Sequence, residues 1–455
     1  MLPVTRYFLK AIQWARKYGL RINLDLHAVP GSQNGWNHSG RLGETNFLRG
    51  AMGFANAQRT LDYIRVITEF ISQPQYKDVV VMFGVLNEPR ASPIIGGTQL
   101  EGLYVLNSSL LRSQKANPLL FSYKAVYDTI RQVTGLGEGN GPVISFHEGF
   151  QGLTHYTGFM ENADRISLDY HPYICFGTQS ASPMSSYATR PCSDWGETMN
   201  STMVNFGMTT AGEFSNAVTD CGLWLTDVNE GTRYEGTYTR DGPWTRIGSC
   251  TPWTDWQNWD QQMKDDIKTF AMASMDALQN WFFWTWKIGN STRSGKVETP
   301  AWSYQLGLEQ GWMPQDPRQA IGVCGNASPW TPPLKPWQTG GTGAGLNVQS
   351  AGLQWPPTSI TNGGPISSLP HYTPTGTVIT MPGPTFTQSG GSNVKIDVGS
   401  GWANPSDTRG MYAPIQSCSY LDPWIGPNAT PPPVCGGAIA KKRGYPPPPK
   451  VTPGP

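Results

Sequence analysis

Charge is scarce in this chain of 455 residues. Asp, Glu, Lys and Arg make up 14% of it, well below the ~25% of an ordinary soluble protein. The 33 basic and 32 acidic residues nearly cancel, leaving a net charge of +1. That balance supplies no field for nucleic acid or an anionic membrane, so neither is expected as a partner. Long apolar runs are also missing: no segment reaches the roughly 18 residues that suggest a membrane span. The cysteines, Cys175, Cys192, Cys221, Cys250, Cys324, Cys418 and Cys435, form no Cys-X-X-Cys pair and no zinc-ligand spacing. Disulfides in an oxidising compartment are the better expectation. Their number is odd, so at least one thiol has no partner within the chain, and the connectivity stays open. A signal-peptide pattern is lacking too. Residues 6–19 read instead as an amphipathic helix ending at Gly19.

What is abundant points to a neutral, ring-shaped substrate. There are 18 Trp, 18 Tyr and 16 Phe beside 52 Gly and 39 Pro. The C–H faces of a pyranose pack well on aromatic rings, although the same rings also fill cores. Six Asn-X-Ser/Thr sequons, at Asn37, Asn107, Asn200, Asn290, Asn326 and Asn428, favour a secreted, glycosylated chain.

The first ~325 residues alternate between helical and strand patterns, as an α/β protein does. Strands are expected at 20–27, 79–86, 143–147, 166–171, 208–213 and 281–286. Helices are expected at 57–72, 124–133, 194–205 and 261–280. The run Val79 to Leu86 is apolar without alternation, as in a buried parallel sheet. Polar residues gather at the carboxyl ends of these strands: His27, Asn87 and Glu88, His147 and Glu148, His171 and Tyr173, Glu213, and Trp284. That is where a (β/α)8 barrel builds its site. Six strands are counted, not eight. Residues 326–455 are rich in Pro, Gly, Ser and Thr and are expected to form a largely disordered tail.

Glu88 follows a buried strand directly, so desolvation is expected to raise its pKa, as a general acid requires. Asn87 beside it can hydrogen-bond a sugar hydroxyl. Glu213 ends another short strand, after a glycine that allows close backbone approach. Two carboxyls about 5–5.5 Å apart give retention and about 6.5–9.5 Å give inversion. Spacing in sequence does not settle which. His171 and Tyr173, two apart, lie on one side of an extended segment, and the Tyr173 hydroxyl is placed to orient a nucleophile. Trp284 and Trp286 would share a strand face and floor a subsite. A metal site from His27, His147 and His171 lacks tight ligand spacing, and no metal or other cofactor is expected.

Together these residues resemble glycoside hydrolase family 5, in its fungal exo-β-1,3-glucanase branch. The matching stretches include residues 25–36 (Asp-Leu-His-Ala-Val-Pro-Gly-Ser-Gln-Asn-Gly-Trp), 86–89 (Leu-Asn-Glu-Pro), 171–173 (His-Pro-Tyr), 212–221 and 283–287 (Phe-Trp-Thr-Trp-Lys). The resemblance covers about residues 5–325. It implies a (β/α)8 TIM barrel whose first two βα units are absent from this chain. It also implies a retaining glycosidase that releases glucose from β-1,3-glucan, with Glu88 as proton donor and Glu213 as nucleophile. His27, Asn87, His171, Tyr173 and Trp284 would be the supporting residues. Trp36 and Phe176 would grip the glucan at the entrance, Trp36 standing where phenylalanine is expected. Transglycosylation, or binding without catalysis, are the alternatives. A monomer at the cell surface or in the wall is expected, with anchoring dependent on a preceding segment.

Overall fold

The computed structural model describes residues 3–73, 76–91, 118–240, 242–326 and 334–348, and seven further positions between 353 and 365. The expected tail therefore lies largely outside the described residues, as do Cys418 and Cys435.

The chain divides into two units. In the first, α1 (Pro3–Tyr18) is the expected N-terminal helix. It ends at Gly19, whose φ of 70° is the left-handed conformation that glycine adopts at least cost. The Leu20 amide reaches back to Ala15 O at 2.8 Å to close the turn.

The second unit, residues 23–77 and 81–383, is built on a sheet. Its strands are β1 (Ile22–Asp25, in this unit from Asn23), β2 (Val80–Gly84, in this unit from Val81), β3 (Val143–His147), β4 (Ile166–Tyr170), β5 (Thr209–Phe214) and β6 (Trp281–Phe283), hydrogen-bonded in chain order. The pairs from β2 to β6 are parallel. All six expected strands are present. Buried residues such as Phe83, Ile144, Phe146, Leu168, Ala211 and Phe214 line them, which is why their sequences carry little alternation.

Helices α2 (Gly50–Ile71), α3 (Pro118–Thr134), α4 (Glu197–Asn205) and α6 (Gln261–Leu278) fall between strands. Between β5 and α6 lies a short α5 (Thr251–Thr254). The Asp260 side chain caps α6 by accepting the Met263 amide, leaving one fewer orphan donor. A final helix α7 (Tyr304–Gln310), not expected from the sequence, starts at the Ser303 cap. Two short strands, β7 (Ser359–Ile360) and β8 (Gly364–Pro365), pair antiparallel.

The sheet curls. Five gaps of about 4.8 Å would hold the outer strands of a flat sheet ~24 Å apart. Yet His27, just after β1, stacks on Trp284, just after β6, with ring centroids 5.8 Å apart. The carboxyl ends of the first and last strands thus converge on one place.

Two disulfides close the second unit, Cys192–Cys324 and Cys221–Cys250. Cys175 is buried as a free thiol. The expected boundary after residue 325 does not mark the end of packing. Gln338 is buried and donates to Phe206 O at 2.8 Å, and Gly345 N reaches Asn162 O at 2.8 Å. Trp355 stacks on Phe54 and donates to Gln58. Sparse apolar periodicity hid these contacts, because single anchors carry them.

Candidate active site

The segment after β1 acts as a clamp. Gln33 is fully buried and its Nε2 donates to both His27 O and Asn87 O at 2.8 Å. Asn34, equally buried, donates from Nδ2 to Glu88 O at 3.1 Å. The exits of β1 and β2 are fixed to each other in this way. Glu88 sits there at φ 45°, a left-handed backbone that is costly for a residue with a side chain. His27 Nδ1 bonds Asp25 Oδ2 at 2.6 Å, and its Nε2 faces Asn87 Nδ2 at 3.4 Å.

Opposite, β4 and β5 supply the second half. A Cβ at position 212 would collide with the Asp169 carboxylate, so only glycine lets β5 come this close to β4 before Glu213. Tyr173 OH donates to Glu213 Oε2 at 2.7 Å. The Tyr173 ring is held between Trp302 and Phe176, with centroids at 5.0 and 5.5 Å.

His171 joins the halves. Its Nδ1 lies 2.8 Å from Glu88 Oε1 and 3.7 Å from Glu213 Oε2, and its Nε2 lies 3.4 Å from Asp169 Oδ2. These two carboxylate oxygens are therefore no more than about 6.5 Å apart, the sum of their distances to one atom. Burial works against charge on His171, but Glu213, Asp169 and Glu88 outweigh it and hold the imidazolium well above its ordinary pKa. His147, packed at 4.4 Å on His171, has no such surplus; burial and the His171 charge lower it to about 3, and it is neutral.

The carboxyls respond in opposite directions. Burial pushes Glu88 up, but hydrogen bonds with His171 and His38 and the His171 charge pull it well below the ordinary range. This reverses the expectation from the sequence, which counted burial and could not see two imidazoles on the carboxyl. Burial raises Glu213, and the charge of Glu88 adds to it against the pull of His171 and the Tyr173 hydroxyl.

All of the expected supporting residues except the entrance pair meet around this cluster. Trp36 and Phe176 take separate partners: Trp36 packs on His38, Phe150 and the Arg90 guanidinium, while Phe176 packs on Tyr173 and Trp302. The expected Trp284/Trp286 floor is corrected. Strand β6 ends at Phe283, so the alternation stops short of Trp286, which stacks on Tyr304 instead. Glu148 turns inward and accepts the Gly152 amide at 2.6 Å, a loop-capping role.

No family model matches the chain. It is 33% identical over 345 residues to the probable glucan 1,3-beta-glucosidase D of Aspergillus terreus. It is 34% identical over 342 residues to glucan 1,3-beta-glucosidase D of Emericella nidulans. Each match covers 71% of this chain and 37% of the relative. Over the matched residues the chain is similar to these fungal glucan 1,3-beta-glucosidases. It spans little more than a third of the length of these curated relatives. Among solved structures, a rutinosidase from Aspergillus niger is 14% identical, with 66% of this chain and 69% of that chain covered and a TM-score of 0.41. The resemblance read from the sequence is borne out by the curated relatives.

Two features of this site were not singled out in the sequence. His38, on a short turn of helix at Asn37–Ser39, places Nε2 3.0 Å from Glu88 Oε2. Phe150 stands against both Trp36 and His147. His38 lies in an aperiodic loop and Phe150 in the turn three residues past β3, so only the fold brings them in. Glu88, His147 and His171 also offer atoms within 4.8 Å of one another, a spacing that could hold a metal ion. A metal there would have to displace the proton that His171 Nδ1 shares with Glu88, because the protonated nitrogen has no free lone pair to give.

Proposed function

We propose that the chain carries the site of a retaining glycosidase that releases glucose from β-1,3-glucan, the linkage that the names of its relatives state. The six-stranded curled sheet is read as an arc of a (β/α)8 barrel, with the site at the carboxyl ends of its strands. The observation that carries the proposal is the shared contact of Glu88 and Glu213 with His171 Nδ1. The bound of about 6.5 Å on those oxygens supports the closer carboxyl pairing of retaining enzymes over the wider separations of inverting ones.

In this reading Glu213 attacks the anomeric carbon while Glu88 gives its proton to the departing oxygen. Glu88 then takes a proton from water, which releases the sugar from Glu213 with its configuration kept. Tyr173 and the His171 imidazolium favour the charged form of Glu213 that attack requires. His27, Asn87 and Trp284 border the sugar, Asn87 by a hydrogen bond and Trp284 by its exposed ring face. Trp36 and Phe176, with separate partners, would bracket the entrance. The disulfides fit secretion or the cell surface.

Laminarin hydrolysis followed by proton NMR tests the reading: β-glucose should appear first. First release of α-glucose would sink the retaining assignment. No release, with Glu213→Gln as the blank, would sink the proposed activity. Glu88→Ala is expected to slow laminarin by about 10²–10⁴-fold, the usual worth of a general acid. With dinitrophenyl β-glucoside, whose leaving group needs no proton, the first step should slow far less. Equal losses on both substrates would remove Glu88 from the acid role.

A further inference from the structure

We propose that Trp244, on the insertion between β5 and α6, is a distal sugar platform. A glucan chain that leaves the site past Phe176 lays an outer ring on the Trp244 indole. The inference deepens the reading of the site as glucan-cleaving and rests on it. It adds a preference for long chains over short ones.

A row of aromatic rings runs outward from the carboxyls. Tyr173 OH donates to Glu213 Oε2, and the Tyr173 ring meets Phe176 with centroids 5.5 Å apart. Phe176 is 42% exposed, so the row has reached solvent there. The Arg233 guanidinium carries it further. Its Nη1 donates to Phe176 O at 2.9 Å, and the same group lies over the Trp244 ring, 5.6 Å from the centroid. With one C–N bond of about 1.33 Å between these two contacts, Phe176 O and the Trp244 ring are no more than about 10 Å apart. One oligosaccharide can touch both.

The indole is held in place before any sugar arrives. Its Nε1 donates to Arg240 O at 2.8 Å. Arg240 is itself pinned by Asp227 at 3.0 Å and Glu230 at 2.9 Å. A Cβ at position 242 would come within 2.8 Å of the indole, so a glycine there gives the ring its space. With the guanidinium against it and Nε1 committed, 37% of Trp244 still stays open to solvent. A ring fixed in this way loses little entropy on binding, and the C–H face of a pyranose packs well on it. Nearby charges pair among themselves: Arg233 with Asp220, and Arg240 with Asp227 and Glu230. The ring therefore offers a neutral face, which suits an uncharged sugar polymer better than a charged partner.

Hydroxyl-radical footprinting of the full chain bearing Glu213→Gln, which spares the sugar, reads the ring directly. A β-1,3-linked glucose hexamer should protect Trp244 from oxidation, and a dimer should not. In calorimetry, Trp244→Ala should weaken the hexamer about 3–10-fold relative to the dimer, the scale of one aromatic contact. Trp244→Tyr, still aromatic, should restore most of that difference. Equal weakening of both lengths, or none, would show that the ring only shields the Arg233–Asp220 pair and would overturn the proposal. An unprotected Trp244 with the hexamer bound overturns it even if a variant fails to fold. Hexamer and dimer binding equally well would sink the platform and leave the proposed function standing. Binding of neither would sink both. These readouts need no turnover, so a chain inactive on laminarin that still protects Trp244 would lose the proposed activity and keep the platform.

Discussion

Glu213→Gln is expected to lower kcat/KM on laminarin by on the order of 10⁴-fold or more, because it removes the group that would bond to the sugar. The substitution keeps the side chain's size and leaves an oxygen for Tyr173 OH, which donates to Glu213 at 2.7 Å. What it removes is charge. Burial and the charge of Glu88 already disfavour the ionised Glu213, so a neutral side chain relieves repulsion in the folded state. His171 loses one of its anions but keeps Asp169 and Glu88. Thermal stability should accordingly stay level or rise while activity is lost. A variant that keeps more than about 1% of activity, or that loses activity only because it unfolds, would remove Glu213 from the nucleophile role; scanning calorimetry beside the rate assay separates these.

Asp220→Ala is expected to destabilise the second unit by about 3–5 kcal/mol, the scale for stripping the partner from a buried charge. Asp220 is fully buried. It accepts the amides of Arg233 and Tyr234 at 2.8 and 3.1 Å and the Arg233 Nε at 3.0 Å. Arg233 in turn donates to Phe176 O at 2.9 Å and Cys175 O at 3.2 Å. The pair therefore ties the insertion between β5 and α6 to the turn that carries Tyr173 and Phe176. The neighbouring Cys221–Cys250 disulfide limits how far that insertion can separate, so unfolding should remain cooperative at a lower urea midpoint. KM for laminarin should rise as well, since Phe176 loses its support. A midpoint shift worth under 1 kcal/mol would show that solvent or another group replaces Arg233.

The six strands were legible because each is an apolar run closed by a polar residue, as Val79 to Asn87 is. The main carboxyl-end residues of the site were legible for the same reason. Helix α2 begins at Gly50, ahead of the residues that carry its apolar spacing, because Gly-Ala-Met-Gly gives no periodic signal. Helix α7 was hidden among Trp and Gly, and its Ser303 cap is one serine among many. The pKa of Glu88 was misread for a different reason. Burial can be inferred from the run that precedes it. The imidazoles that oppose burial come from His171, 83 positions away, and from a His in an aperiodic loop. Charge pairing across a sheet mouth is a property of the curl, and no local pattern encodes it.

The left-handed backbone at Glu88 has a consequence for how such a chain can evolve. A glycine there would relax the main chain, and alanine would keep the strain without the carboxyl. The best residue for the fold and the best residue for chemistry are therefore different at this position. Random drift under selection for folding alone would erode Glu88 early, toward glycine. Gln33 and Asn34, both fully buried, hold that strained peptide in place, so a selection that keeps the carboxyl has to keep the clamp with it.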